Sequence, residues 1–400
     1  MDETSARGLL RAIAGTLVLA WFVAGCGGPD SAPPPAEPQA QRPQRGVFSE
    51  LEAAAVRLSP DGRRIAFVAS AAGGERPWLA PAEDLAAAER LEGAGDRPVD
   101  AIHWSYSGRY LLYRESPAGE EAGRLWAWNV DRSRGRPMTP EGRRAEVVHL
   151  SPAHPSTAVV ALADAQAGEA KGRDLYRLDL RDGDLDLIAE DERFSAWAID
   201  DDLDLRLAFE PLPEGGLRVR KKAETGEWAD FSWMPDADPA KARFLGFDAN
   251  ALRAYFLDGR GRDRVALVES DLVTGAARVL YQDPTADVVD ILMHPVKRTI
   301  QAAASARPER RWRVLDEAVR EDLERLAGLA PGDLEIIDRS LDDTVWLAAI
   351  TPFDAPRRFY RYDRTTGEAD LLFQGLPPGT TESDTPTLEN AAANEGDAAD

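Results

Sequence analysis

Four histidines, one cysteine and several dense runs of aspartate are the side chains in this sequence with chemistry to offer. His103, His149, His154 and His294 show no i, i+4 pairing with a second ligand and no cysteine partner, so spacing gives a zinc site no support. His103 and His149 stand just before Trp104-Ser105 and Leu150-Ser151, matching places that mark structural residues of a repeat. Asp182-Gly183-Asp184-Leu185-Asp186 and Asp200-Asp201-Asp202-Leu203-Asp204 have the carboxylate density of a calcium loop. They lack the spaced ligands and closing glutamate of an EF-hand, and so read as solvated turn carboxylates. Arg307, Arg310, Arg311 and Arg313 adjoin an acidic stretch and read as a local ion-pair set rather than a phosphate site. Gly259-Arg260-Gly261-Arg262 lacks the third glycine and the βαβ setting of a nucleotide loop. No glycine is followed two residues later by serine, so the Gly-x-Ser-x-Gly elbow of a serine hydrolase does not occur. The expectation is no catalytic residue, no metal and no cofactor, with ligand-binding residues unassigned.

Cys26 is the one residue whose surroundings specify a reaction. Arg7 and Arg11 precede an apolar run from Ala12 to Val23 that ends in Val23-Ala24-Gly25-Cys26-Gly27. That run is too short to span a bilayer and has the layout of a secretory signal. Val-Ala-Gly-Cys resembles the lipobox of bacterial lipoproteins, which implies cleavage after residue 25 and acylation of the Cys26 sulfur. Several acyl chains anchor stably where one is marginal. Gly27 at the next position resembles the outer-membrane sorting signal. The expectation is an envelope lipoprotein facing the periplasm, held to the membrane, and to the outer membrane in particular, through Cys26. Residues 26–46 carry Pro29, Pro33, Pro34, Pro35, Pro38 and Pro43 and read as an extended linker spanning at most about 60 Å.

Two rulers organise the rest. Ser59-Pro60-Asp61-Gly62 is a turn between apolar runs, with Pro second and Gly fourth. Gly108 closes the next one, and degenerate versions follow near Pro155, Asp202, Asn250, Lys297 and Asp343, in steps of 46 to 48 residues. Asp-x-x-x-Gly recurs at Asp131 to Gly135, Asp179 to Gly183, Asp271 to Gly275 and Asp363 to Gly367, at intervals of 48, 92 and 92. Between these turns lie short runs with strand alternation, such as Arg124-Leu125-Trp126-Ala127-Trp128-Asn129-Val130. Four short antiparallel strands bury no core alone, so the unit makes sense only when repeated. The period predicts an all-β fold over residues 47–374: a seven-bladed β-propeller of four-stranded antiparallel blades, with six and eight as the neighbouring counts. Leu315, Val319, Leu323 and Leu326 predict one amphipathic helix inserted in the sixth blade, capped by Asp316, stopped by Pro331-Gly332 and covering a blade edge.

Residues 375–400 contain six acidic side chains and no Lys or Arg, and are expected to be disordered. The formal net charge of −22 argues against nucleic acid, whose phosphates such a surface repels.

An ordered series of residues carries a family resemblance. It comprises Ser59-Pro60-Asp61-Gly62-Arg63, Trp104-Ser105 with Tyr110-Leu111-Leu112-Tyr113, and Leu125-Trp126-Ala127-Trp128. Met138-Thr139-Pro140, Leu175-Tyr176-Arg177-Leu178-Asp179-Leu180, Leu245-Gly246-Phe247-Asp248 and Trp312-Arg313-Val314-Leu315-Asp316 continue it. Together they resemble the β-propeller of the prolyl oligopeptidase family of serine peptidases, in its bacterial dipeptidyl or acylaminoacyl peptidase-like branch. In that family the propeller caps an α/β-hydrolase domain that holds the catalytic Ser, Asp and His. Here an acidic tail stands where that domain begins, and no residue inherits a catalytic role. The expected function is a noncatalytic, membrane-anchored propeller that binds a peptide or a periplasmic protein. The alternatives are a substrate-gating subunit whose hydrolase is a separate chain, or an inert remnant. A partner is expected on the face near Phe48 and Phe373.

Overall fold

A computed structural model describes residues 56–375, apart from 72–73, 92–98, 116–122, 165–172, 191–192, 214–215, 224, 235–241 and 307–308. Cys26, the linker and the acidic segment after Gly375 lie outside these residues, as do Phe48 and Arg307. The described chain forms seven antiparallel sheets in sequence order, over residues 56–90, 99–137, 143–189, 196–234, 242–281, 288–314 and 333–374. These are blades 1 to 7 of a β-propeller. In each blade the first strand lines the central channel and later strands lie progressively outward.

Burial follows that layering. The second strands are covered on both faces by neighbouring blades and read as continuous apolar runs: Thr157–Asp164 and Val345–Thr351 are almost wholly buried. Third strands alternate, as in Arg124–Asn129, and outer strands such as Ala277–Tyr281 are largely exposed. Alanine is frequent in the second strands, as at Ala302, Ala303 and Ala304, because the blades crowd together there.

Both rulers mark real turns. The turn between first and second strands places Gly62 and Gly108 at φ 71° and 66°. In the later blades non-glycine residues take the same left-handed conformation: Leu203, Ala251, Arg298 and Asp343, at φ 64°, 50°, 54° and 59°. The sequence anchors in blades 4 to 6 were therefore one residue early. The Asp-x-x-x-Gly hairpins close as expected at Gly183, Gly275 and Gly367, whose N–H groups donate to the carbonyls of Asp179, Asp271 and Asp363. In blade 2 the left-handed residue is Ser133, and Gly135 sits inside the outer strand Arg134–Pro137.

Blade 6 departs from the four-strand plan. Its sheet has three strands, and after Arg311–Val314 the chain turns into a 3₁₀ turn, Glu317–Val319, and helix α1, Arg320–Ala327. Asp316 caps the 3₁₀ turn by accepting the Ala318 N–H. Val319, Leu323 and Leu326 are buried against Ala302 of blade 6 and Trp346, Tyr360 and Tyr362 of blade 7. The helix thus fills the wedge between two blades instead of covering an edge. Leu315 is 40% exposed and does not join the buried stripe.

A buried ion network fastens this helix. Arg364 donates through Nε to Asp322 at 2.9 Å and through Nη1 to Asp343 at 2.5 Å, and its Nη2 reaches the Ala318 carbonyl at 2.8 Å. Tyr362 donates to the other Asp322 oxygen at 2.9 Å, while Arg339 and the Trp346 indole N–H both donate to Asp343. Arg339 and Arg364 lie over the Trp346 ring at 4.6 and 5.0 Å. Removing one member of a buried network strands the opposite charges, at about 3–5 kcal/mol. Arg364→Ala is therefore expected to lower unfolding free energy by roughly 3 kcal/mol. Arg320→Ala, which loses exposed pairs to Glu317 and Glu324, should leave it nearly unchanged, because solvent screens such pairs. Urea denaturation of the two variants checks the contrast.

Candidate functional site

The channel wall near the first turns carries the concentration of polar side chains. Arg57, His103, His149 and Asp338 occupy equivalent positions, one residue before the end of the first strand, in blades 1, 2, 3 and 7. The position is forced toward the channel because its neighbours on either side, such as Ile102 and Trp104, are buried between blades. Register shifts in the inner strands of blades 2 to 7 bend these strands further and re-aim their side chains.

At the end of the channel the wall is bridged. Arg298, in the first turn of blade 6, extends to Asp201, in the first turn of blade 4, and donates twice, at 2.8 and 2.6 Å. His149 of blade 3 stands 3.5 Å from the same carboxylate, and Ser151 Oγ donates to the Asp201 backbone carbonyl at 2.5 Å. Burial alone would raise the Asp201 carboxyl. The proximity of His149 and the hydrogen bonds and charge of Arg298 outweigh it and hold the group well below the usual carboxylate range. Tyr106 of blade 2 lies near Arg298, and burial pushes its hydroxyl up. Five blade turns and strands thus converge on one ion pair.

The rest of the wall is less fully paired. Burial, helped by the charges of Arg57 and Arg114, lowers His103 to about 4, so its imidazole is neutral at physiological pH. Asp338 accepts the Leu58 N–H at 3.0 Å across the seam between blades 7 and 1. Loss of water pushes its carboxyl up to about 6, against the pull of Arg57 and that N–H.

These groups make a polar wall that can orient a charged or hydrogen-bonding chain end. They do not make a nucleophile: among the described residues no serine hydroxyl hydrogen-bonds a histidine, and no cluster of His, Cys, Asp or Glu has metal-binding geometry. A cavity between blades 4 and 5, walled by Met234, Phe256, Asp258 and Arg260, has about 10 Å³, room for one water. No helix among the described residues is long and apolar enough to cross a membrane.

Several sequence readings acquire a location. His103 and His149 are equivalent, as their spacing requires, but His149 also takes part in the bridge. Asp182 is an exposed turn carboxylate that accepts the Asp184 N–H. Asp200 also closes its turn, accepting the Asp202 and Asp204 N–H groups, but it is buried and paired with Arg206 at 2.6 Å rather than solvated. Asp201 departs further, with a partner 97 residues away. No local pattern marks that pair; the one signal was its separation of two repeats. Arg310 pairs with Asp290 and Asp333 of the adjoining strands, not with the acidic helix. Phe373 is 5% exposed and packs in the core between blades 7 and 1.

Comparison with known proteins agrees with this architecture. No protein-family model matches the chain. Dipeptidyl aminopeptidase BIII of Pseudoxanthomonas mexicana is 32% identical over 333 residues, covering 83% of this chain and 48% of that protein. This chain is homologous to the propeller domain of dipeptidyl aminopeptidases. Dipeptidyl peptidase family member 6 of Caenorhabditis elegans is 23% identical over 352 residues, covering 84% of this chain and 47% of the relative. The chain therefore spans about half the length of these curated relatives. A solved prolyl endopeptidase superposes with a TM-score of 0.58 at 13% identity, over 82% of this chain and 50% of the other, a likeness of fold.

The Asp338 environment generates a pH test. The folded carboxyl holds its proton to higher pH than the unfolded chain does. Its cost is therefore absent below about pH 4, grows as pH rises through 4 to 6, and is complete above that. At roughly 1.4 kcal/mol per pH unit the cost reaches at most about 3 kcal/mol. Asp338→Asn keeps an acceptor for the Leu58 N–H and removes the charge. It is expected to be more stable than the parent at pH 7.5, with the difference closing toward pH 4. Thermal melts across that range decide it, and a difference independent of pH would contradict the assignment.

Proposed function

We propose that this chain is a noncatalytic propeller of the dipeptidyl-aminopeptidase type, anchored in the bacterial envelope and binding a peptide or a periplasmic protein. The observation that supports the reading is the homology to the propeller part of these peptidases, which covers over four-fifths of this chain. The described residues within that match form blades only. A polar channel wall bridged at one end by Arg298 and Asp201 suits a binding surface better than a reacting centre, because these two ions already neutralise each other.

The same homology favours a second reading, in which the propeller gates substrate for a hydrolase on another chain. In both readings the purified chain is expected to be unreactive toward fluorophosphonate probes and inert toward aminoacyl and dipeptidyl substrates. Stoichiometric labelling of any serine in it would overturn both. Crosslinking from channel-mouth positions in cells separates them: a hydrolase-fold partner favours gating, and a captured peptide or another protein favours binding.

The envelope anchor rests on Cys26 and its flanking sequence. Cys26→Ala is expected to abolish incorporation of labelled palmitate and to leave the signal segment uncleaved. Labelling that persists in this variant would remove the anchor from the proposal.

A further inference from the structure

The ring of side chains just below the first turns is uneven. Blades 7, 1, 2 and 3, which adjoin one another, place Asp338, Arg57, His103 and His149 on the channel wall, whereas the equivalent position of blade 5 is Gly246. Arg57 stands within this arc between Asp338 and His103, and its charge acts on both. Its own donors are incompletely used. Nη1 donates to the Val56 carbonyl at 2.8 Å, and among the described residues no carboxylate comes close enough to the guanidinium for a salt bridge. A guanidinium offers five N–H donors in a fixed fork. The side chain is half-buried, although Val56 and Leu58 on either side of it in the strand are buried, so part of it faces the channel solvent.

One end of the channel obstructs a passing chain. Tyr106 of blade 2, Asp201 of blade 4 and Arg298 of blade 6 come together in the first turns, with Arg298 bonded twice to Asp201 and near Tyr106. Blades 2, 4 and 6 are spaced around the ring, so these side chains span the opening. His149 belongs to both the arc and the bridge, 3.5 Å from Asp201, and the arc therefore lies directly under the closure. A chain that enters from the other mouth reaches Arg57 with its end and not with its middle.

Of the two ends of a peptide, the arc suits the carboxylate. The Arg298–Asp201 bridge is already neutral, and Asp338 already accepts the Leu58 N–H. The uncommitted charge is that of Arg57, whose fork matches the two oxygens of a carboxylate. Burial and the charges of Arg57 and Arg114 keep the His103 imidazole neutral, so it can donate one N–H beside that fork. We infer that the channel arc under the Arg298–Asp201 bridge binds the C-terminal carboxylate of a peptide, with Arg57 as its ionic partner and His103 as a second donor. This site rests on the reading that the propeller binds peptide, and it names which end of the peptide is held and by which residues.

The test titrates the full chain with acetyl-Ala-Ala, its C-terminal amide, Ala-Ala-amide and acetate. NMR of labelled histidine follows the His103 ring, assigned through His103→Gln. Acetyl-Ala-Ala is expected to move the His103 signals saturably, with the other three probes far weaker. Arg57→Gln keeps a polar side chain and is expected to weaken acetyl-Ala-Ala by roughly tenfold or more, the usual loss of a hydrogen bond to a charged group. Arg57→Lys should recover part of that loss. The comparison of acid with amide uses the parent chain and so stands whether or not the variants fold. An amide that binds as well as the acid, acetate that matches the peptide, or an unchanged acid affinity in folded Arg57→Gln overturns the site. Tighter binding of Ala-Ala-amide also overturns it and makes the bound end an amine. Silence toward all four probes overturns the carboxylate site alone, because the in-cell crosslinking decides the wider reading independently.

Discussion

A blade has two apolar faces and no further layer to cover them, so every blade depends on both neighbours and the ring must close. Among the described residues each sheet consists of consecutive strands, so closure here is made mainly by side-chain packing rather than by an exchanged strand. The seam instead interleaves Val56, Leu58, Ile65 and Phe67 with Val345, Leu347, Phe359 and Phe373, with the Phe67 and Phe373 rings 6.0 Å apart. Two hydrogen bonds reinforce it, from Leu58 N–H to Asp338 and from Leu341 N–H to the Pro60 carbonyl. Gly62 is required there twice over. Its φ is 71°, and a Cβ would stand 3.0 Å from that of Val345.

Arginine is the general fastener between adjacent blades. Arg136, Arg243, Arg339 and Arg364 donate to the carbonyls of Asp182, Val289, Met293 and Ala318, each 46 residues away. A long side chain with several donors suits this task, because successive sheets diverge outward and leave carbonyls that a short side chain would not reach. The Arg298–Asp201 pair extends the same device across the channel. Arg298 holds a left-handed backbone that costs a side-chain-bearing residue about 1–2 kcal/mol. Its bidentate bond to Asp201 offsets that strain and keeps the turn in place. Channel polarity and ring rigidity are therefore two results of one pattern of charges.

Blade 6 shows the consequence of replacing a strand by a helix. The helix brings three large apolar side chains into the wedge and also Asp322, which is buried beside Asp343. Two arginines around Trp346 balance those acids, so the network is neutral as a whole and each carboxylate has charged donors. The exchange leaves the third strand outermost in its sheet among the described residues.

The sequence by itself carried the blade period, the seven-blade reading with six and eight as neighbours, and the turn positions to within one residue. A 46-residue period, strand alternation and Asp or Gly at tight turns are local properties, set by steric limits on φ and by the two-residue repeat of a strand. It also marked the helix, through the spacing of Val319, Leu323 and Leu326. What it did not carry is which charged residues meet. Asp200, Asp201 and Asp202 are indistinguishable in sequence, yet one caps its own turn, one bridges the channel to a residue 97 positions away, and one is in solvent contact. Leu315 fits the helical stripe but lies before the helix begins. Non-glycine residues at left-handed turns hid the turn positions of blades 4 to 6 by one residue. Those outcomes were decided by tertiary structure. Closing the ring sets which turns face each other across the channel and which strand edges stay open, and ion pairing follows from that distance rather than from order along the chain.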